Sequence, residues 1–244
     1  MGGAVCRIGT SGYQYDHWEG PVYPKGLPRK KRFQHYAGTF DTVEINNTFY
    51  HLPSEKTFQS WRKAAPRSFL FVLKFSRYGT HMKKLKDPAD TIGAFLERAR
   101  HLEDRLGPML VQLPPHWRAD PERLDAFLEE APDEHRWGVE LRDPSWLIEE
   151  VYGVLRTHNA ALVVHDMMED HPREATADWI YLRFHGPGEA HYEGSYSPQA
   201  LSGAARRIRR HLREGRDAFV FFNNDQHGHA VQNARDLKRY LARD

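Results

Sequence analysis

The chain has 244 residues, with 35 Lys and Arg against 33 Asp and Glu, a formal net charge of +2. That balance excludes a protein-wide field dictating a polyanionic partner, and a single cysteine, Cys6, excludes an intramolecular disulfide framework. No apolar run nears the roughly 20 residues that span a bilayer, and the opening MGGAVCRIGTSG lacks the segments of a signal peptide. The expectation is a soluble cytoplasmic protein with no membrane partner.

Eight β-rich runs are predicted in chain order: 5–9 (VCRIG), 42–50 (TVEINNTFY), 70–76 (LFVLKFS), 108–113 (PMLVQL), 136–142 (RWGVELR), 161–166 (ALVVHD), 179–186 (WIYLRFHG) and 218–225 (AFVFFNND). Amphipathic, helix-length segments separate most of them. Asp87-Pro88, Asp120-Pro121 and Ser197-Pro198 read as N-caps followed by proline in the first helical turn. Gly107 and Gly215 are expected where helices stop. After the sixth run, MMEDHPREATAD has no helical stripe and is expected to be a long loop. Eight alternating β and α units in this length predict an α/β fold, a (β/α)8 TIM-type barrel formed as one domain over residues 1–244. An open doubly wound sheet is the alternative, but no GxGxxG or GxxxxGK[ST] element follows any strand.

Side chains alternate along a strand, and four runs carry charge on the face opposite their apolar one. Glu44 shares a face with Thr42 and Asn46, Lys74 with Val72 and Ser76, Glu140 and Arg142 with Gly138, and Arg183 and His185 with Tyr181. In a barrel these groups point inward near the strands' carboxyl ends, where active sites lie. An unpaired buried charge costs several kcal/mol. The set is therefore either a network of core ion pairs or a functional pocket, and clustering at the carboxyl ends favours the pocket. Asn223, Asn224 and Asp225 end the eighth run. They make an ordinary strand-to-helix turn or bring Asp225 in as an acid, base or acceptor. Thr10 and Ser11 sit in a GTSGY loop whose backbone N–H groups could cradle an anion.

The segments IGTSGYQYDHWEGPVYP, FDTVEINNTFYHLPS, LGPMLVQLPP, GVELRDPSW, YLRFHG and VFFNNDQHGHAVQNA together resemble the YecE-like family, domain of unknown function 72. The likeness runs nearly end to end. It implies a single TIM-type barrel and no assigned reaction; a likeness in fold to apurinic endonucleases and sugar isomerases is a fold-level analogy. Residues matching the family's motifs are Gly9, Thr10, Ser11, Gly12, Glu44, Asn46, Thr48, Tyr50, Lys74, Gln112, Glu140, Arg142, His185, Asn223, Asn224 and Asp225. Tyr13 stands where Trp is frequent in the family, and Asn47 where Ser is.

Acid/base chemistry without a metal fits these residues best, by a hydrolase or lyase reaction on an anionic substrate such as a phosphate ester or sugar acid. Glu44 and Glu140 would form a carboxylate pair with divided roles, with His185 and Asp225 as further proton carriers. Thr10, Ser11, Asn46, Tyr50, Lys74, Gln112, Arg142, Arg183, Asn223 and Asn224 would bind the substrate, Arg142 through a bidentate grip. Glu44, His81, Glu140, Asp166, His185 and Asp225 are candidate metal ligands, but the neighbouring cations disfavour a multinuclear site, and no metal or other cofactor is assigned. Two alternatives remain. One is nucleic-acid binding or phosphodiester cleavage, through the basic runs 25–32 and 206–213 with Tyr13, Trp18 and Tyr23 stacking on bases. The other is a non-catalytic barrel holding a small ligand. The loop 186–196, with His191 and Tyr192, is either a lid or a plain surface connection. The number of subunits is not legible in the sequence.

Overall fold

A computed structural model of the chain describes residues 3–168, 170–188 and 192–243. All eight predicted strands are present: β1 (Cys6–Thr10), β2 (Thr42–Ile45), β3 (Leu70–Lys74), β4 (Leu106–Gln112), β5 (Trp137–Glu140), β6 (Ala161–His165), β7 (Trp179–Phe184) and β8 (Asp217–Phe222). The sheet runs β1-β8-β7-β6-β5-β4-β3-β2, with parallel pairing along it. A parallel bridge between Ser11 and Glu44 joins its first and last strands. With the helices that follow the strands, the fold is a (β/α)8 TIM-type barrel.

The helices are α1 (Arg29–Ala37), α2 (Asn47–Tyr50), α3 (Glu55–Ala64), α4 (Pro88–Ala99), α5 (Pro121–Glu129), α6 (Glu149–Thr157), α7 (Pro198–Arg213) and α8 (His229–Leu241). The Asp120 and Ser197 side chains accept from Arg123 N and Ala200 N, as N-caps do. Asp87 precedes Pro88 but makes no cap bond and takes a left-handed conformation. Two expectations fail locally. The second strand stops at Ile45, because Asn47–Tyr50 coil into α2, where the Thr48 hydroxyl donates to the carbonyls of Ile45 and Lys74. Gly107 ends no helix but is the second residue of β4, while Gly215 does follow α7 at φ +82°. Among the described residues no helix separates β6 from β7. There the Thr176 hydroxyl donates to Ala160 O and accepts from Leu162 N, pinning the connection to the start of β6.

The chain divides into two compact units. The first is Met1–Glu44, His165–His171 and Trp179–Asp244; the second is Ile45–Val164 and Pro172–Asp178. In the first, β1, β8 and β7 pair without a slip, over a core that includes Trp18, Tyr36, Trp179, Tyr181 and Phe221. Gly9 is required in β1, since a Cβ there would lie 2.4 Å from Thr42 O. In the second, Phe75 packs edge-on against Phe95, Phe127 and Trp137. Such rings bury about 150–250 Å² each, so this cluster supplies much of that unit's apolar burial.

Candidate functional site

In the first unit the carboxyl end of β2 presents Glu44, which is fully buried. Its Oε1 accepts from Ser11 Oγ at 2.7 Å and Arg183 Nη2 at 2.7 Å, and its Oε2 accepts from Tyr181 OH at 2.6 Å. Burial alone would push this carboxyl up. The Arg183 charge and the donated hydrogen bonds outweigh burial and hold Glu44 below the usual carboxylate range. Tyr181 and Arg183 reach the same carboxylate because period-two alternation puts both on one face of β7.

Asp225 lies just beyond β8, and its environment acts the other way. Its side chain is 18% exposed and Oδ2 lies 3.0 Å from His17 Nε2. Burial pushes its carboxyl up, against the partial opposition of His17. The main-chain carbonyl of Asp225 also accepts from Trp18 Nε1 at 2.8 Å, fixing the turn. The hydroxyl of Tyr15 donates to Ser11 O, and its phenol feels the charge of both carboxylates. Its phenol is pushed up by burial and then by the charges of Asp225 and Glu44, while Arg183 opposes them. The charges of Glu44, Asp225 and Arg183 thus all act on the Tyr15 phenol. Nearby, Asp166 Oδ1 accepts from His185 N at 2.8 Å and faces His185 Nδ1 at 3.3 Å, and Tyr196 OH donates to Asp166 Oδ2. These bonds outweigh burial and hold the Asp166 carboxyl down. His185 is 1% exposed.

The second unit holds the other set. Glu140, fully buried at the end of β5, accepts from Arg142 Nε. Lys74 ends β3 with its Nζ 4.2 Å from the Phe49 ring centroid, a cation–π contact. Gln112 ends β4 in register with Glu140. The half-buried imidazole of His81 is pushed down to about 4, first by burial and then by the charges of Lys74, Arg77 and Arg142. Among the described residues no group of three or more His, Cys, Asp or Glu is placed to hold a metal ion.

A family model described as "Protein of unknown function DUF72" matches residues 7–244. The chain belongs to this family. It is 34% identical over 116 residues to UPF0759 protein YecE of Escherichia coli K12, a match covering 46% of this chain and 42% of that protein's length. Less than half of that relative is therefore spanned. UPF0759 protein YunF of Bacillus subtilis 168 is 23% identical, over 97% of this chain and 95% of its own length. The crystal structure of a DUF72 family protein from Thermotoga maritima MSB8 has a TM-score of 0.84 at 29% identity, covering 97% of this chain and 99% of that one. None of these names states a reaction.

The other positions read from this DUF72 sequence divide between scaffold and surface. Thr10 donates to Gly12 O and bonds Tyr36 OH, shaping the first loop. Asn224 is fully buried and donates to Gly194 O and Asn233 Oδ1, while Asn223 N donates to Phe184 O. Asn46 Oδ1 is buried without a hydrogen-bond partner among the described residues. Tyr50 is 74% exposed and lines a cavity of about 290 Å³ with Phe49 and Tyr78. Tyr13, Trp18 and Tyr23, expected to stack on bases, are 5%, 0% and 1% exposed and belong to the core. Within the run 25–32, Arg29 and Arg32 both pair with Asp16, and in 206–213 Ile208 is buried while Arg206 and Arg210 are exposed. His191 lies outside the described residues, and the Tyr192 ring stands 6.0 Å from that of His185. The sequence reading missed the pairing of His17 with Asp225, the contact of Tyr196 with Asp166, and Tyr15. All three depend on contacts 30 or more residues apart in sequence or on electrostatics that no local pattern encodes; only Asp166, a carboxylate ending a strand run, carried a local signal.

Proposed function

We propose that the protein is an enzyme carrying out acid/base chemistry, of the hydrolase or lyase type, on a small anionic substrate such as a phosphate ester or sugar acid. The observation that carries this reading is the opposed pair of carboxylates in the first unit. Glu44 is held ionised by Arg183, Tyr181 and Ser11, while Asp225 is pushed toward its protonated form by burial. Carboxylates whose environments separate their titration ranges take different roles, one kept ionised and the other able to carry a proton. Asp225 is the proton carrier, because part of its side chain meets solvent. Glu44 has acceptors occupied on both oxygens and serves to position Arg183 and Tyr181. The division of roles expected for Glu44 and Glu140 is thus reassigned to Glu44 and Asp225, and Glu140 positions Arg142. His185, oriented by Asp166, is a second proton-transfer group.

The charge class of the substrate rests separately on the second unit, where burial and then the charges of Lys74, Arg77 and Arg142 hold His81 down to about 4. The test is turnover on a panel of phosphorylated and carboxylated metabolites, comparing wild type with Asp225→Asn. A turned-over compound, with activity at least about 100-fold lower in the variant at unchanged stability, supports the reading. Saturable binding without turnover favours a ligand-holding barrel, and binding confined to oligonucleotides favours the nucleic-acid alternative.

A further inference from the structure

Acid/base chemistry requires both an acid and a base that reach the substrate. In the first unit Glu44 is fully buried with hydrogen bonds donated to both oxygens, and His185 is 1% exposed. His17, in the single turn Asp16–Trp18 after β1, differs: its side chain is 45% exposed and stands against Asp225. Its Nε2 lies 3.0 Å from the main-chain oxygen of Asp225 and 3.0 Å from Oδ2. A carbonyl oxygen can only accept, so the hydrogen in that bond belongs to Nε2. In the neutral ring Nδ1 is then left with a lone pair, and among the described residues nothing donates to it. Trp18 Nε1 donates to the same carbonyl at 2.8 Å, which fixes the acceptor. The Tyr15 ring packs against the imidazole with centroids 5.2 Å apart. Beside this turn, the Asp16 carboxylate is taken up by Arg29 and Arg32.

We propose that His17 is the base of the reaction and acts through Nδ1, with Asp225 as its acid partner. This rests on the acid/base reading above and deepens it. Nδ1 takes a proton from the substrate or from an attacking water and the ring becomes an imidazolium. The Asp225 carboxyl gives its proton to the departing oxygen and becomes a carboxylate. The two new charges form beside each other, with Nε2 and Oδ2 3.0 Å apart, so each stabilises the other. The total charge of the pair is unchanged. Nδ1 then releases its proton to solvent and Asp225 recovers one, and the side chains are 45% and 18% exposed, enough for both exchanges. Burial pushes the Asp225 carboxyl up, which favours the starting state in which it holds its proton.

The test measures kcat and KM of His17→Gln and His17→Ala beside wild type, on a compound turned over in the panel of phosphorylated and carboxylated metabolites. Gln keeps an N–H for the Asp225 carbonyl but has no basic nitrogen, so a purely structural His17 predicts near-normal activity in that variant. The expected result is a kcat about 100-fold lower in both variants, with KM within about threefold of wild type. Added imidazole should restore part of the His17→Ala rate and none of the Asp225→Asn rate. Nitrogen-15 NMR of the neutral ring should show the hydrogen on Nε2. A His17→Gln kcat within about threefold of wild type, a His17→Ala rate that imidazole does not raise, or a ring with its hydrogen on Nδ1 overturns the inference. With Asp225→Asn still impaired, each of those results leaves the acid/base reading standing. If wild type turns over no compound in the panel, the reading falls and takes the inference with it. Should His17→Ala fail to fold, His17→Gln and the NMR decide.

Discussion

Glu44 shows how the chain keeps a carboxylate where no water reaches it. Three donors saturate it, and Arg183, itself 2% exposed, has its charge neutralised there. Glu44→Gln removes the buried carboxylate that Arg183, Tyr181 and Ser11 hold, so urea unfolding at pH 7 should show a loss of about 3–5 kcal/mol. A loss below about 1 kcal/mol would contradict the network. The pH dependence has a definite sign. Because the folded state holds Glu44 below its unfolded range, its contribution is complete above about pH 4.3 and is lost as pH falls through the lower folded value. The gap between wild type and variant should close in acid. At this scale the sequence was informative where alternation alone decides position: Glu44, Lys74, Arg183 and His185 were read as buried strand-end groups and are buried. It was silent on partners. Nothing local says that Tyr181 reaches across 137 residues to Glu44, or that His17 meets Asp225.

The connection after β7 shows the same division for elements. Gly186 stands at φ +118°, and a Cβ there would sit 2.3 Å from Glu193 O. Gly186 N donates to Tyr196 OH, which in turn donates to Asp166. Gly186→Ala should cost about 1–3 kcal/mol of stability through left-handed strain and collision with backbone. Gly153, in the body of α6, is the control, because a Cβ there would meet nothing within 4 Å: Gly153→Ala should gain about 0.5–1 kcal/mol. Thermal unfolding of both variants measures the contrast, and equal effects would contradict this placement. Strand existence was legible throughout, since β-branched and aromatic runs between turn residues have few other uses. Strand ends were less so. TFY at 48–50 has β-forming residues, yet the Thr48 hydroxyl bonds to two carbonyls and holds the segment in α2. Gly107 was misread because a glycine after a helix-length segment suits a C-cap as well as a strand start.

For the molecule as a whole, composition bounded the answer and the fold followed from the count of β and α units. The chemistry followed less directly, because it depends on how burial and charge act together on particular carboxyls. The near-neutral charge of +2 hides a local concentration of cations around His81, visible only once β3 and β5 are brought together. The buried positions of Tyr13, Trp18 and Tyr23 remove the base-stacking surface that the first basic run suggested. What remains of that run includes exposed Lys25, Lys30 and Lys31, a solvated face. The proposed chemistry requires Glu44 and Asp225 to titrate apart. Carbon-13 NMR of the carboxyl carbons across a pH titration measures this directly, with Glu44→Gln and Asp225→Asn providing the assignments. Asp225 is predicted to titrate above the ordinary aspartate range and Glu44 below the ordinary glutamate range; coincident titration at ordinary values, or the reverse order, would contradict the division of roles.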